Sequence, residues 1–549
     1  MATSFPLSPR LVATPLWAAH SLRRAFWERG APLLEVRVGP RSPLPPAHEL
    51  RALAEGPDIR GVWLRVERLV LSGGQAALHE SVDALAACRD SGHLVLAEFD
   101  HVGNAEMLVA AACTRAWIRP GSQVFCVGLG TTMRFYGALL ERFGAGFDVE
   151  AVGEFKSFGE QFSRGFASGP NREAMRTLVE DLSEEWVQSQ VRHRPALTVA
   201  SVLAAVADAP LSAADAVDRG FFTGALYPDQ VEAEVEALVG KEPRVVPFAT
   251  WAQAARRERT LQAFIAGGAG VPVVWLSGPV MDGSGSPGPE MIAVAPVVDA
   301  LDELREDARA KAVVLRVTSP GGSAPASDLI WRAVERLAAE KPVVASFGDV
   351  SASGGVYLSA AATSIWCHPA SVTGSIGVIA GKPVLRGALA RQGVHSEDLL
   401  MGPQADLFNE TAFSPSGRAH LRAGLELTYR TFVERVAAGR KRTYDEVEVH
   451  ARGRVWSGRR AHTLGLVDHL GGLADAQRGA AALIGATRWR SWDIKPLPSG
   501  GLLQRLARRF AFAAVPELAL LPEVPAAMQL LAEHPGQPLA LMPFQFEVG

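Results

Sequence analysis

The chain has 549 residues, 48% of them hydrophobic and 21% charged, a length that calls for more than one hydrophobic core. Its 55 basic and 58 acidic side chains leave a net charge of -3, so no global field recruits nucleic acid or an acidic substrate, and nucleic acid is discounted as a partner. The four cysteines, Cys88, Cys113, Cys126 and Cys367, form neither a CxxC pair nor a dense disulfide framework and are read as buried free thiols.

In chain order, the first thirty residues carry a helical segment over 16–29. Leu16, Ala19, Leu22, Ala25 and Phe26 share one face, with Arg23 and Arg24 beside it. Such a face either lies on a membrane surface or packs on the body of the protein. No run of about 18 apolar residues and no secretory leader pattern is read, and the expectation, with localisation left open, is a cytoplasmic or peripherally membrane-associated chain.

Residues 31–251 and 272–494 then form two halves of one pattern, joined by a connector at 252–271 that is charged and rich in glycine. Asp100, Thr114, Trp117, Pro120, Ser122 and Gly128 reappear as Asp349, Thr363, Trp366, Pro369, Ser371 and Gly377, all displaced by 249 positions. In the second half the periodicity predicts strands at 273–276, 312–317 and 343–347, with helices at 295–307 and 326–339 between them. Alternation of this kind gives an α/β fold with a mainly parallel sheet in each half. Beyond about 495 the pattern stops. Residues 495–549 are a separate apolar tail punctuated by proline, predicted helical near 502–512. Its end, 542–548, is apolar enough to fill a peptide groove, dock a partner or pack on the body.

The two halves differ where chemistry is expected. After the strand at 343–347 the second half reads Gly348-Asp349-Val350-Ser351-Ala352-Ser353-Gly354-Gly355. A serine at a strand-to-helix turn exposes its hydroxyl beside the following backbone N–H groups, and this arrangement suits a nucleophile. The first half has Asn104 at that place and Ala105-Glu106 instead of the glycines. One amide from Gly321 or Gly322, together with that of Gly354, would form an oxyanion hole.

A serine hydroxyl needs a base, and no histidine fits clearly; His368 is read as structural. Lys156 is the alternative, provided burial lowers its pKa, and Phe155 and Phe158 supply apolar neighbours, whereas Glu154 and Glu160 would act the other way. The 249 offset puts Ala405 opposite Lys156, so the half with the serine lacks the lysine and the half with the lysine lacks the serine.

With these residues in place, the sequence resembles the long, two-repeat form of the signal peptide peptidase A (protease IV) family of serine peptidases. The resemblance spans roughly 33–490. It is carried by the segment Leu315 to Ser323, by Ala352-Ser353-Gly354-Gly355, by Thr373-Gly374-Ser375-Ile376-Gly377-Val378, and by Trp456-Ser457-Gly458 with Gly465-Leu466-Val467-Asp468. It implies Ser353 as nucleophile and Lys156, in Gly153-Glu154-Phe155-Lys156-Ser157, as base. Ser323, Gly355, Thr373 and Ser375, which lie in or beside its motifs, are expected at the substrate site. It further implies two tandem domains of the caseinolytic-protease/crotonase type (ββα superhelix), a homotetramer, and peptide substrates such as cleaved signal peptides. The amino-terminal membrane anchor common in the family is not read here, and the carboxy-terminal extension is additional.

Two readings from other classes meet the same residues. A crotonase-like enzyme handling acyl-CoA would use paired backbone amides without Ser353 or Lys156. A non-catalytic scaffold would carry the dyad as a relic. No Walker A loop, HExxH or G-x-S-x-G elbow is present, and no cofactor or metal is implied.

Overall fold

Leu33–Val38 and Gly61–Val66 bury one face of each strand throughout and Leu33 and Trp63 on the other, where Arg37 stays exposed, as suits strands of a parallel sheet. The computed structural model describes residues 31–54, 59–70, 73–255, 269–283, 291–496 and 539–541. The expectations for 16–29, 502–512, 542–548 and most of the connector fall outside these residues. The described chain forms two compact units. One runs to Leu129 and resumes over Ser183–Gly268; the other comprises Gly130–Leu182 and Ala269–Gly549.

In the first unit six strands lie in the order Val245–Pro247, Leu33–Val38, Gly61–Val66, Leu94–Phe99, Arg115–Ile118 and Gly224–Ala225, each pair parallel. The period of two sends Leu34, Val62, Leu64, Val95 and Ala97 into one core, and Leu33, Trp63, Leu96 and Trp117 into a smaller one. Helix Pro228–Val239 closes the smaller core with Val231, Val235 and Val239, four residues apart.

The second unit repeats this scheme around a sheet ordered Val455–Ser457, Val372–Gly374, Val343–Ala352, Val313–Ser319, Val273–Ser277 and Asp493–Ile494. Leu94–Phe99, Asn104–Ala112 and Arg115–Ile118 of the first unit correspond to Val343–Ala352, Gly354–Ser359 and Ser364–Cys367 here, starting 249 or 250 positions later. The tandem α/β organisation thus holds in the fold as well as in the sequence. The expected strand at 343–347 continues to Ala352: after a register shift past Val317, Ser351 pairs with Ser319, and the strand gains Val372–Gly374 as a second neighbour.

A second sheet of this unit carries the segment from the front half of the chain. Its order is Ile292–Ala293, Val280–Met281, Gly321–Ser323, Leu539–Leu541, Val378–Val384 and Gly146–Val152. Gly146–Val152 pairs antiparallel with Val378–Val384 along its whole length, and Phe147, Phe158 and Phe162 pack around Ile379. Residues 130–182, inside the range 31–251 of the first repeat, thus belong to the second compact unit.

The four cysteines are buried and form no disulfide, and burial pushes the Cys88 and Cys113 thiols up to about 12. Among the described residues no helix is long and apolar enough to cross a membrane.

Candidate active site

Ser353 stands between strand Val343–Ala352 and helix Gly354–Ser359 with φ 54 and ψ -113. A side chain at positive φ is strained by about 1–2 kcal/mol, so the surroundings must hold it there. They do so through the backbone: Ser353 N donates to the Gly374 carbonyl (2.8 Å), and its own carbonyl accepts from Tyr357 N (2.9 Å). The hydroxyl is fully buried. Gly354 follows in a place that admits no side chain, since an added Cβ would meet Ser327 Oγ at 2.7 Å and both Gly321 Cα and Gly322 N at 3.2 Å. The Gly354 backbone is therefore in close contact with the Gly321-Gly322 turn. Gly321 N donates to Ser319 Oγ (3.2 Å), which leaves Gly322 as the more suitable of the two glycines for a second amide donor.

Lys156 comes from the loop after Gly146–Val152. Its N–H donates to the Gly153 carbonyl (3.0 Å) and Phe155 N donates to the Arg452 carbonyl (2.9 Å). Residues 452–454 also hold the far side of the site: Gly453 N donates to Ile376 O and Ser375 N to Arg454 O, each at 2.7 Å. The Arg454 guanidinium lies over both Phe155 (4.7 Å) and Trp456 (4.4 Å). One short segment thus binds the lysine loop to the turn that carries Ser375.

The Lys156 side chain is buried, with Nζ 2.8 Å from Ser353 Oγ, 2.9 Å from the Ser375 carbonyl and 3.0 Å from Ser375 Oγ. Burial disfavours the ammonium and holds its pKa well below the usual lysine range. The two acidic neighbours in sequence are engaged elsewhere. Glu160 accepts from Ser168 N (3.0 Å) and Asn171 Nδ2 (2.9 Å), and Glu154 lies 3.5 Å from Arg452. A neutral amine has two N–H donors and one lone pair. Two oxygens of Ser375 can take the former, leaving the lone pair for the Ser353 O–H.

The other expected site residues have internal roles. Ser323 caps helix Ala324–Ala338 by accepting from Ala326 N (3.2 Å), and donates to Asp282 (2.7 Å). Thr373 Oγ1 donates to the Ser351 carbonyl (2.7 Å), and Gly355 is buried in the first turn after Ser353. Ser375, expected at the substrate site, is in direct contact with the lysine. His368 is buried with Nδ1 accepting from Ala370 N (3.1 Å). Among the described residues no cluster of three or more His, Cys, Asp or Glu side chains could hold a metal ion.

The sequence profile of Peptidase family S49 matches the chain twice, over residues 87–241 and 335–487. The chain belongs to peptidase family S49. It is 28% identical to the chloroplastic serine protease SPPA of Arabidopsis thaliana over 77% of this chain, and spans 63% of that protein's length. It is 29% identical to Protease 4 of Salmonella typhi over 80% of this chain and 72% of that one. A solved structure, that of a ClpP1 mutant from Listeria monocytogenes, covers 37% of this chain and 94% of its own at a TM-score of 0.25 and 15% identity.

The two S49 repeats are chemically unequal. At the position equivalent to Ser353, Asn104 bonds its side chain to the backbone of Gly128, donating to the carbonyl (2.8 Å) and accepting from the amide (3.3 Å). In place of Gly355, Glu106 accepts from Gly103 N (2.9 Å) and Leu69 N (2.8 Å). Opposite Ser375 stands Cys126, whose buried thiol donates to the Ala205 carbonyl (3.4 Å). This last difference was a signal available in the sequence: the 249 offset that singles out Lys156 and Ser353 singles out Ser375 as well.

Proposed function

We propose that the chain is a serine endopeptidase in which Ser353 is the nucleophile and Lys156 the general base. The observation that carries this reading is the buried 2.8 Å contact between Lys156 Nζ and Ser353 Oγ. Desolvation favours the neutral amine, whose lone pair takes the hydroxyl proton as Ser353 Oγ attacks the scissile carbonyl. The Gly354 and Gly322 amides stabilise the oxyanion of the tetrahedral intermediate. Lys156 then hands the proton to the leaving amine, and an ester on Ser353 remains. A water activated by the same amine hydrolyses it. Ser375 acts as a positioning residue that fixes the amine by its carbonyl and hydroxyl. No metal or cofactor enters any step.

Substrates in this reading are extended apolar peptides, such as signal peptides left after preprotein processing, and the working assembly is a homotetramer. Membership of S49 and similarity to proteins named SPPA and Protease 4 support the serine peptidase class, and the substrate and the assembly are what the resemblance to the signal peptide peptidase A family implies.

Labelling with a fluorophosphonate tests the nucleophile directly. The parent chain is expected to incorporate one probe and Ser353→Ala none, with cleavage of a diverse peptide library lost in parallel. Peptide cleavage undiminished in Ser353→Ala would overturn the assignment.

A further inference from the structure

The sheet beside the site is completed by a strand from far along the chain. Leu539–Leu541 lies between Gly321–Ser323 and Val378–Val384 and is antiparallel to both. Remove it, and these two strands face each other across a gap one strand wide. One edge is the strand Gly321–Ser323, packed against Gly354; the other is the strand paired with Gly146–Val152, which leads to Lys156. A sheet edge with free N–H and C=O groups is a template for an added strand, and here one edge of the gap touches Gly354, the residue that follows Ser353.

The register gives the occupant a direction. Leu539 pairs with Ser323 and with Ile379, Ala540 with Gly322, and Leu541 with Gly321, and the same antiparallel sense runs the strand from Ile379 toward Gly377, which packs on Gly453 and the Val152 carbonyl beside the lysine loop. The strand therefore advances from amino to carboxyl end toward the nucleophile, as the acyl side of a peptide to be cut would.

We infer that Leu539–Leu541 is the resident occupant of the peptide groove, a substrate-like strand that competes with incoming peptide. The inference rests on the serine peptidase reading for its consequence in turnover, and on backbone pairing alone for the occupancy. The sequence Leu-Ala-Leu also indicates what the groove accepts: an extended, uncharged apolar segment held by main-chain hydrogen bonds. A tethered competitor raises the apparent KM and leaves kcat unchanged, because saturating substrate displaces it.

The test uses the full chain. Ala540→Pro removes the N–H at the centre of the strand and cannot remain in the ladder, and Leu541→Pro is the second variant should the first fold poorly. With a fluorogenic apolar decapeptide, KM is expected to fall at least about twofold, the value for a groove filled half the time, at constant kcat. A capped synthetic peptide spanning Gln537 to Met542 should restore the higher KM competitively. Amide hydrogen exchange in the Ser353→Ala background provides a readout independent of turnover: Gly321–Ser323 and Val378–Val384 are expected to lose protection when Ala540→Pro is added. Unchanged protection together with unchanged KM overturns the tail occupancy. Absent cleavage and absent fluorophosphonate labelling, with the loss of protection still seen, would instead overturn the peptidase reading and leave the occupancy standing.

Discussion

Lys156 Nζ and Ser353 Oγ are 2.8 Å apart although 197 residues separate them in the chain. If these two groups form the reacting pair, replacing either removes the step that makes a serine nucleophilic. Ser353→Ala and Lys156→Met are each expected to lower kcat by about 10³-fold or more, because dyad members act as a unit and not additively. The double variant should be scarcely worse than either single one. Peptide turnover with matched circular dichroism spectra checks this, and additive losses would refute it.

The same contact sets the pH behaviour. Burial lowers the Lys156 pKa from its ordinary 10.5, and only the neutral amine accepts a proton. The rate constant kcat/KM should therefore rise with pH through the lowered value and then level off. Stability follows the same direction. Between the lowered pKa and the ordinary one the unfolded chain binds a proton that the folded chain does not, so this group makes the protein more stable as pH rises across that interval. Each unit of lowering corresponds to about 1.4 kcal/mol. Lys156→Met should remove that slope and raise Tm at neutral pH. Titration of Tm for parent and variant measures the difference, and parallel curves would show the lysine to be charged in the fold.

How much of this was legible in the sequence depends on what each residue does. Ser353 and Lys156 stood out because their counterparts, Asn104 and Ala405, lack the chemistry. The parallel strands were legible from their apolar runs, which both faces of a covered sheet require. The pairing of Gly146–Val152 with Val378–Val384 was not, since alternation identifies a strand but not its neighbour. The Ser375 carbonyl on the amine was also hidden, because a backbone atom has no sequence signature. Residues 452–454 act through N–H and C=O groups in the same way. The continuation of the strand beyond Phe347 was masked by Gly348-Asp349, which read as a turn until the shift in register supplied partners.

Ser375 offers a test of positioning as distinct from chemistry. Its hydroxyl is 3.0 Å from Lys156 Nζ and its carbonyl 2.9 Å, so Ser375→Ala removes one acceptor and keeps the other. The amine should remain in place but turn more freely, and kcat is expected to fall by about 10- to 100-fold, less than for loss of the base. The lost oxygen also favours the ammonium less, which moves the rise in the pH profile to lower pH. A lower kcat with an unmoved profile would mean that the hydroxyl does not contact the amine during turnover. Ser375→Thr, which restores the oxygen, should recover part of the rate.

The segment that binds the lysine loop can be tested at Gly453. Its φ is +78, and an added Cβ would stand 2.5 Å from Lys156 N and 2.6 Å from Lys156 Cβ. Gly453→Ala therefore combines an unfavourable backbone with a collision against the base itself. The backbone alone should cost about 1–2 kcal/mol. Gly485 separates the two contributions, because its φ is +64 but nothing lies within 4 Å of its added Cβ. Gly485→Ala should lower Tm by the backbone cost and keep full activity. Gly453→Ala should lower Tm further and reduce kcat by at least about tenfold well below its own Tm, since a shift of the lysine loop lengthens the contact to Ser353 Oγ. Equal activity in the two variants, measured at a temperature where both are folded, would show that the 452–454 segment holds the fold but does not position the base.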